Sequence, residues 1–367
     1  MNAYLHIPFC TSICSYCDFT SFAGQEGKMA SYVDALCQEI TRSSLAGPLR
    51  TVYFGGGTPS LLLPEKLDQI LRTLKEKSDF SPSVEISLEA NPETVDEERL
   101  RAYRNLGVNR LSFGAQAAQK EILKKLGRGH EWDRVEKAFG SARAAGFQNI
   151  NLDLMFGLPG QSPDFFRESL ESALRLNPEH FSLYALQVEE GTPLAKQVVE
   201  GLALPTEDEV ADEYAFAQDL LTANGFEQYE VSNFSKPGLA CRHNWNIWRG
   251  EDYWGFGVSG VGTVQGVRHG HGEDLAEYIQ RVKAGEDVLL LEPLTPKIQA
   301  WEKLMLGLRT NIGVLKSDVE EYRASKVYGE RFDRLLNEGF LLLKDDRYRV
   351  SAKGYFVLNG ILEALAA

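Results

Sequence analysis

Short apolar runs rich in β-forming residues alternate along the first half of the chain with stretches whose apolar residues recur at helical spacing. The strand candidates are Ala3–Ile7, Thr51–Phe54, Val84–Leu88, Arg110–Phe113, Asn149–Met155 and Phe181–Leu186. Between them, 3.6-residue periodicity predicts helices over Met29–Thr41, Pro64–Lys77, Val95–Leu106, Asp133–Ala145 and Asp164–Leu176. Pro64 and Pro163 suit first-turn positions, Thr94 and Ser162 suit N-caps, and Gly107 and Gly146 suit C-terminal stops. Strict strand–helix alternation implies a parallel sheet with right-handed crossovers. Six such units make either an open, partial TIM-like (β/α)6 barrel or a doubly wound sheet.

The polar residues at the strand ends favour the barrel. Cys10 to Cys17 follow the first strand, Gly55-Gly-Gly-Thr-Pro59 the second, and Glu89 ends the third. Gln116 follows the fourth, Asp153 sits towards the end of the fifth, and Gln187 follows the sixth. Barrel enzymes build their sites on this carboxyl-end face. Turn chemistry explains the glycines and prolines there, but not Glu89, Gln116 or Asp153.

Beyond Leu186 the pattern loosens into a helix near Glu207–Leu221, a strand-like Gln228–Phe234 and an aromatic loop at Cys241–Trp254. From about Leu294, helices at Ile298–Leu308 and Val327–Glu338 precede a β-hairpin turning at Asp345-Asp346 and a last helix at Tyr355–Leu365. The expected organisation is a barrel over 1–235, an aromatic and Gly-rich connecting segment over 236–292, and a helical, winged-helix-like domain over 293–367. A winged helix does not by itself imply DNA binding.

The formal net charge of −13 argues against non-specific nucleic-acid binding, which needs a basic face. Hydrophobic content of 43% and charged content of 25% are ordinary for a globular chain. Neither a signal-peptide pattern nor an apolar run of membrane-spanning length is present, so a cytoplasmic protein with reduced thiols is expected.

Against that background, Cys10-x3-Cys14-x2-Cys17 is the strongest chemical signal. Three thiolates can hold three corners of an iron–sulfur cube, which ordinarily takes four cysteines. The fourth iron then stays open to a substrate. Zinc is the alternative, although structural zinc usually takes four ligands in paired spacing, and a disulfide would leave an odd thiol. Cys37 lies on a helical pattern and reads as a small buried hydrophobe. Gly55-Gly56-Gly57 lets backbone N–H groups approach a ligand closely, but no Walker pattern accompanies it. Glu89, Gln116, Arg128 and Asp153, gathered at a barrel mouth, suit a ligand with an amino-acid end and a ribose.

Together, the cysteine spacing and Gly55-Gly-Gly-Thr-Pro59 resemble the radical S-adenosylmethionine (SAM) superfamily. Tyr4-Leu-His-Ile-Pro-Phe-Cys10, Arg110-Leu-Ser-Phe-Gly-Ala-Gln116 and Asp153-Leu-Met-Phe-Gly-Leu-Pro159 resemble the oxygen-independent coproporphyrinogen III oxidase family, and within it the HemW-type haem chaperones. The resemblance implies a [4Fe–4S] cluster on Cys10, Cys14 and Cys17, with SAM on the open iron. It implies Tyr4 and Tyr16 against cluster and SAM, and Gly56, Gly57 and Thr58 at the methionine end. Glu89, Gln116, Arg128 and Asp153 would meet the carboxylate, amine or ribose, and Gln187 and Val261 would lie near adenine.

The oxidases of this family carry a fourth cysteine two residues beyond the third, where this chain has Phe19, and a long arm ahead of the cluster, for which Cys10 leaves no room. Both departures favour the chaperone subgroup over the oxidase and leave enzyme activity open. That subgroup's H-N-x-x-Y-W signature reads here as His243-Asn-Trp-Asn-Ile-Trp248, with Ile247 in the tyrosine place. The resemblance makes His243 an axial haem ligand with Trp245 and Trp248 as flat apolar faces; otherwise Cys241 and His243 simply pack a structured loop. His269 and His271 are expected in a solvated loop. The implied partners are SAM, haem and haem-accepting proteins, some of them membrane-associated.

Overall fold

The computed structural model describes residues 1–320, 323 and 326–366. Six parallel strands, β1 (Asn2–Ile7), β2 (Leu49–Gly56), β3 (Phe80–Ala90), β4 (Arg110–Gln116), β5 (Ile150–Phe156) and β6 (His180–Ala185), stand side by side in sequence order. A doubly wound sheet would reverse its order at a switch point. Sequential order is that of a barrel wall. The crossovers are α1 (Met29–Arg42), α2 (Pro64–Lys77), α3 (Glu97–Leu106), α4 (Trp132–Ala144) and α5 (Pro163–Arg175).

Each strand alternates with period two. Ala3, Leu5 and Ile7, Val52 and Phe54, Leu111 and Phe113, Leu152 and Leu154, and Phe181 and Leu183 belong to one core with the helices. The intervening residues are Asn2, Tyr4 and His6, Thr51 and Tyr53, Glu85, Ser87 and Glu89, Arg110 and Ser112, Asn151 and Asp153, and His180 and Ser182. Strand geometry turns these to the opposite face, which is the barrel lumen. Strands of parallel sheets usually read as continuous apolar runs because both faces are dry. Here the inner face is mostly polar, Met155 of β5 being an apolar exception.

Most helix signals act as expected. Ser162 accepts a hydrogen bond from the Phe165 amide at 3.2 Å, and Gly107 and Gly146 take left-handed φ values of 107° and 91°. Thr94 does not cap α3. Asp96 does, accepting from the Arg99 amide at 2.8 Å, while Thr94 pairs its hydroxyl with Ser60 at 2.6 Å. The expected Gln228–Phe234 strand is two short strands, Glu227–Gln228 and Asn233–Ser235, the second antiparallel to β6.

Residues 236–292 are built into the same sheet. Tyr253–Phe256 lies parallel to β1 on its free edge, followed by antiparallel Gly262–Val264, Val267–Gly270 and Leu290–Pro293. Trp254, Phe256, Leu275, Tyr278 and Val282 join the barrel core. His269 and His271 are therefore not solvated: they are buried at 3% and 7% exposure. The reason is Glu39 of α1. Its Oε1 takes His271 Nε2 at 2.8 Å, and its Oε2 accepts the Gly257 amide at 3.0 Å and the Tyr278 hydroxyl at 2.5 Å. A carboxylate so bonded pulls the second histidine out of water.

The C-terminal part has its own core of Leu304, Leu308, Phe332, Leu341, Tyr348 and Ile361 among others. Helices Pro296–Leu308 and Lys326–Asn337 precede the hairpin Leu341–Lys344 and Arg347–Val350, a winged-helix-like order. Asp345 and Asp346 both take positive φ, 50° and 60°, as a two-residue primed turn requires. The closing helix runs Leu358–Ala366, starting later than the periodicity predicts. No helix among the described residues is long and apolar enough to cross a membrane.

Candidate functional site

Cys10 ends a short strand that pairs Phe9–Cys10 with Phe22–Ala23, so the cysteine loop is closed at its base. The loop is also tied down midway. The Ser15 amide donates to Leu126 O at 3.0 Å, the Leu194 amide donates to Ser15 O at 2.8 Å, and His6 Nε2 meets Thr20 O at 2.9 Å. Gly56 and Gly57 let β2 run close beneath it. A Cβ on Gly57 would stand 2.7 Å from Phe9 O and 3.0 Å from Cys10 Sγ; one on Gly56, at φ 110°, would meet the His6 ring at 2.7 Å. The backbone amides expected to reach a ligand are occupied within the protein. Gly56 N–H donates to Glu89 Oε2 at 3.2 Å, Gly57 N–H to Ile7 O at 2.9 Å and Thr58 N–H to Phe9 O at 2.7 Å. The glycines serve backbone proximity, which is a different reason for the same residue type.

A cavity of about 410 Å³ opens at the carboxyl ends of the strands, with Cys10, Cys14, Cys17, Gly56, Gly57 and Thr58 along one wall. Tyr16, Glu89, Gln116, Arg128, Asp153 and Gln187 also line it. Glu89 Oε1 accepts the Tyr53 hydroxyl at 2.7 Å, and burial pushes its carboxyl up to about 7 despite that bond. Asp153 accepts Asn151 Nδ2 at 2.7 Å and the Ser112 hydroxyl at 3.2 Å, and burial raises it too. Arg128 donates to Asn91 Oδ1 at 2.7 Å and to the Tyr16 hydroxyl at 3.3 Å. Gln116 sits at φ 64° beside a register shift between Gly114 and Gln116, so the strand ends in a bulge that re-aims its last side chain.

Among the described residues, no three His, Cys, Asp or Glu side chains converge on one point as a single metal ion requires. The three free thiols line one cavity, Cys10, Cys14 and Cys17 being the donors present for an iron–sulfur cluster. Burial raises the Cys10 thiol and pushes Cys17 up to about 11, so iron binding has to supply the charge that stabilises the thiolates.

The family model described as the radical SAM superfamily matches residues 4–173. The chain is 35% identical to the haem chaperone HemW of Lactococcus lactis, over 99% of this chain and 96% of that protein. It is 39% identical to the haem chaperone HemW of Bacillus subtilis, over 91% and 88%. The chain belongs to the HemW family of the radical SAM superfamily. A solved structure described as the radical SAM coproporphyrinogen III oxidase HemN of Escherichia coli shares the fold, with a TM-score of 0.87 at 24% identity over 99% of this chain and 89% of that one.

Within this member of the family, the structure brings together the three cysteines, Tyr16, Gly56, Gly57, Thr58, Glu89, Gln116, Arg128, Asp153 and Gln187. Tyr4 sits behind the cavity wall, stacked on Tyr53 at 6.1 Å with its hydroxyl 3.2 Å from His6 Nδ1. Val261 is 44% exposed on the turn before Gly262–Val264, outside the cavity lining. Phe19 lies at the rim, 67% exposed, and lines the mouth.

His243 is 2% exposed, on a helix (Arg242–Trp248) rather than in a loop. Glu85 holds the helix start, accepting the Arg242 amide at 3.1 Å and the His243 amide at 3.0 Å. The His243 ring stacks 5.0 Å from Tyr53, its Nδ1 meets the Thr51 hydroxyl at 2.8 Å, and burial drops it to about 3, so it is neutral. An external haem plane has no access to it in this conformation. Trp245 packs edge-on against Tyr229 at 5.4 Å, and Trp248 lies under Arg309 at 5.8 Å.

The sequence reading missed Tyr53, Asn91, Arg110, Ser112, Asn151, Ser182 and Asn244, all of which line the cavity. A signal was present: a polar residue at every second position of strands that otherwise read as buried.

Proposed function

We propose that the protein is a haem chaperone that carries a [4Fe–4S] cluster on Cys10, Cys14 and Cys17, binds SAM beside it, and delivers haem to haem proteins. The near full-length relationship to the HemW chaperones carries this reading. When bound, cluster and SAM supply one-electron reductive chemistry. The chain's residues hold and orient: Arg128 suits the SAM carboxylate as a charged fork, Glu89 and Asp153 suit the amine or the ribose hydroxyls, and Tyr16 covers the cluster end. Gly56 and Gly57 keep β2 close enough to the cysteine loop for one ligand to touch both. We also propose that the barrel unit and the winged-helix-like unit from about residue 293 act as separate parts, each with its own core.

The Glu89 carboxyl, titrating near 7, predicts a pH dependence. Below 7 it is neutral and a poorer acceptor for ligand hydroxyls or an amine; above 7 it is charged. SAM affinity, measured by anaerobic calorimetry, is expected to rise about tenfold from pH 6 to pH 8, following the ionised fraction. Glu89→Gln flattens the profile. A wild-type profile already flat would remove Glu89 from the SAM site.

Haem titration of the reconstituted full chain tests the function itself. Saturable haem binding and transfer to an apo-haem protein are expected, without useful turnover of coproporphyrinogen III. Formation of protoporphyrinogen IX at enzymatic rates would replace this reading with the oxidase. Ligation by His243 requires the Arg242–Trp248 helix to leave the sheet, so binding through it is expected to be slow and to change Trp245 fluorescence. Fast binding, unaltered in His243→Ala, assigns the haem to another face.

A further inference from the structure

We propose that the floor of the barrel lumen is a carboxylate-binding subsite built around Arg110, separate from the cysteine end of the same cavity. This does not rest on the haem reading. Arg110 opens β4, roughly 20 Å below Gln116 along the strand. It is 2% exposed, yet it lines the cavity together with Asn244. Among the described residues its guanidinium has no hydrogen-bonded or ion-paired partner, and its Nε is buried without one.

Among the described residues, two more buried polar atoms beside it lack hydrogen-bond partners, Ser87 Oγ and His243 Nε2. Ser87 is the register partner of both Arg110 and Tyr53, and the His243 ring stacks on Tyr53. Three unsatisfied groups thus share one level of the lumen. Buried polar groups in folded proteins are otherwise bonded almost without exception, and an unpaired buried charge is the costliest case.

The acidic neighbours do not supply the missing anion. Glu85 is committed to the amides at the start of the Arg242–Trp248 helix, Glu89 to the Tyr53 hydroxyl and the Gly56 amide, and Asp153 to Ser112 and Asn151. A carboxylate is the shape that a guanidinium fork binds best, and Asn244, which lines the cavity with Arg110, offers a side-chain amide beside it. Glu85, Glu89 and Asp153 around the guanidinium disfavour the double charge of a phosphate dianion more than the single charge of a carboxylate. The occupant is therefore the monocarboxylate end of a molecule small enough to enter by the mouth, for which propionate is a minimal probe.

The test uses the full chain, with sodium propionate as the probe and chloride and phosphate at matched ionic strength as controls. Propionate is expected to raise the melting temperature saturably, with affinity falling about tenfold or more in Arg110→Met, the loss of one charge-assisted pair. Cys14→Ala keeps the effect, because the cysteine end is not involved. Carboxyl-labelled propionate followed by NMR supplies a second readout, and Asn244→Leu, which narrows the floor, is expected to weaken that signal even where Arg110→Met fails to fold. An equal response to chloride or phosphate, no saturable response to propionate, or unchanged affinity in Arg110→Met overturns the proposal.

Discussion

Cys14→Ala is expected to reduce iron and sulfide content to background after anaerobic reconstitution and to abolish SAM cleavage, while the fold survives. Three thiolates are the minimum that holds a cube with one open iron, so losing one removes the site rather than weakening it. The loop does not need the thiol to keep its shape. Ser15 is bonded to Leu126 and Leu194, and the base of the loop is closed by Phe9–Cys10 against Phe22–Ala23. The apo-protein's unfolding free energy should therefore change by about 0.5 kcal/mol or less. Cys241→Ala is the matched control: this thiol is fully buried near Glu85, away from the cluster loop, and its loss should leave iron loading intact. Wild-type iron content in Cys14→Ala, or zinc in place of iron in the reconstituted wild type, would refute the cluster assignment.

The second large effect is on stability. His271→Ala is expected to cost about 3–5 kcal/mol in urea unfolding, because it leaves the buried Glu39 carboxylate without its imidazole. Burial alone would lower the His271 pKa, but the hydrogen bond and charge of Glu39 outweigh it and the net shift is upward. A raised histidine stabilises the fold in full below its unfolded value of about 6.5, and that contribution fades as pH climbs through the folded value. The wild-type advantage over His271→Ala should therefore be larger at pH 6 than at pH 9. Equal differences at both pH values would show that His271 acts only by packing and neutral hydrogen bonding.

The strands and helices were legible because their signals are local. Pro64–Lys77 is a helix over the residues its periodicity marks, and Asp345-Asp346 turns the hairpin where two short polar residues tolerate positive φ. Thr94 shows the limit of such signals. Asp96 stands two residues nearer the helix and takes the cap, leaving Thr94 to Ser60. The candidate site was legible in part for a similar reason: its cysteines lie within one loop, and Glu89, Gln116 and Asp153 break the pattern at strand ends. Arg128 sits beyond a strand, and its hydrogen bonds to Asn91 and Tyr16, from other units, hold it at the cavity.

What the sequence by itself determined is the cysteine spacing, the order of βα units, the family, and the absence of a cysteine at Phe19. Each is written in neighbouring residues. What only the tertiary structure decided is where distant polar residues meet. Glu39 reaches His271 across the sheet, Glu85 anchors the helix that carries His243, and Arg110, among the described residues, has no hydrogen-bonded partner at the floor of the lumen. The physical reason is closure: curling the sheet brings every second residue of separate strands to one interior. Burial there sets protonation, pairing and access, none of which a single strand's pattern contains.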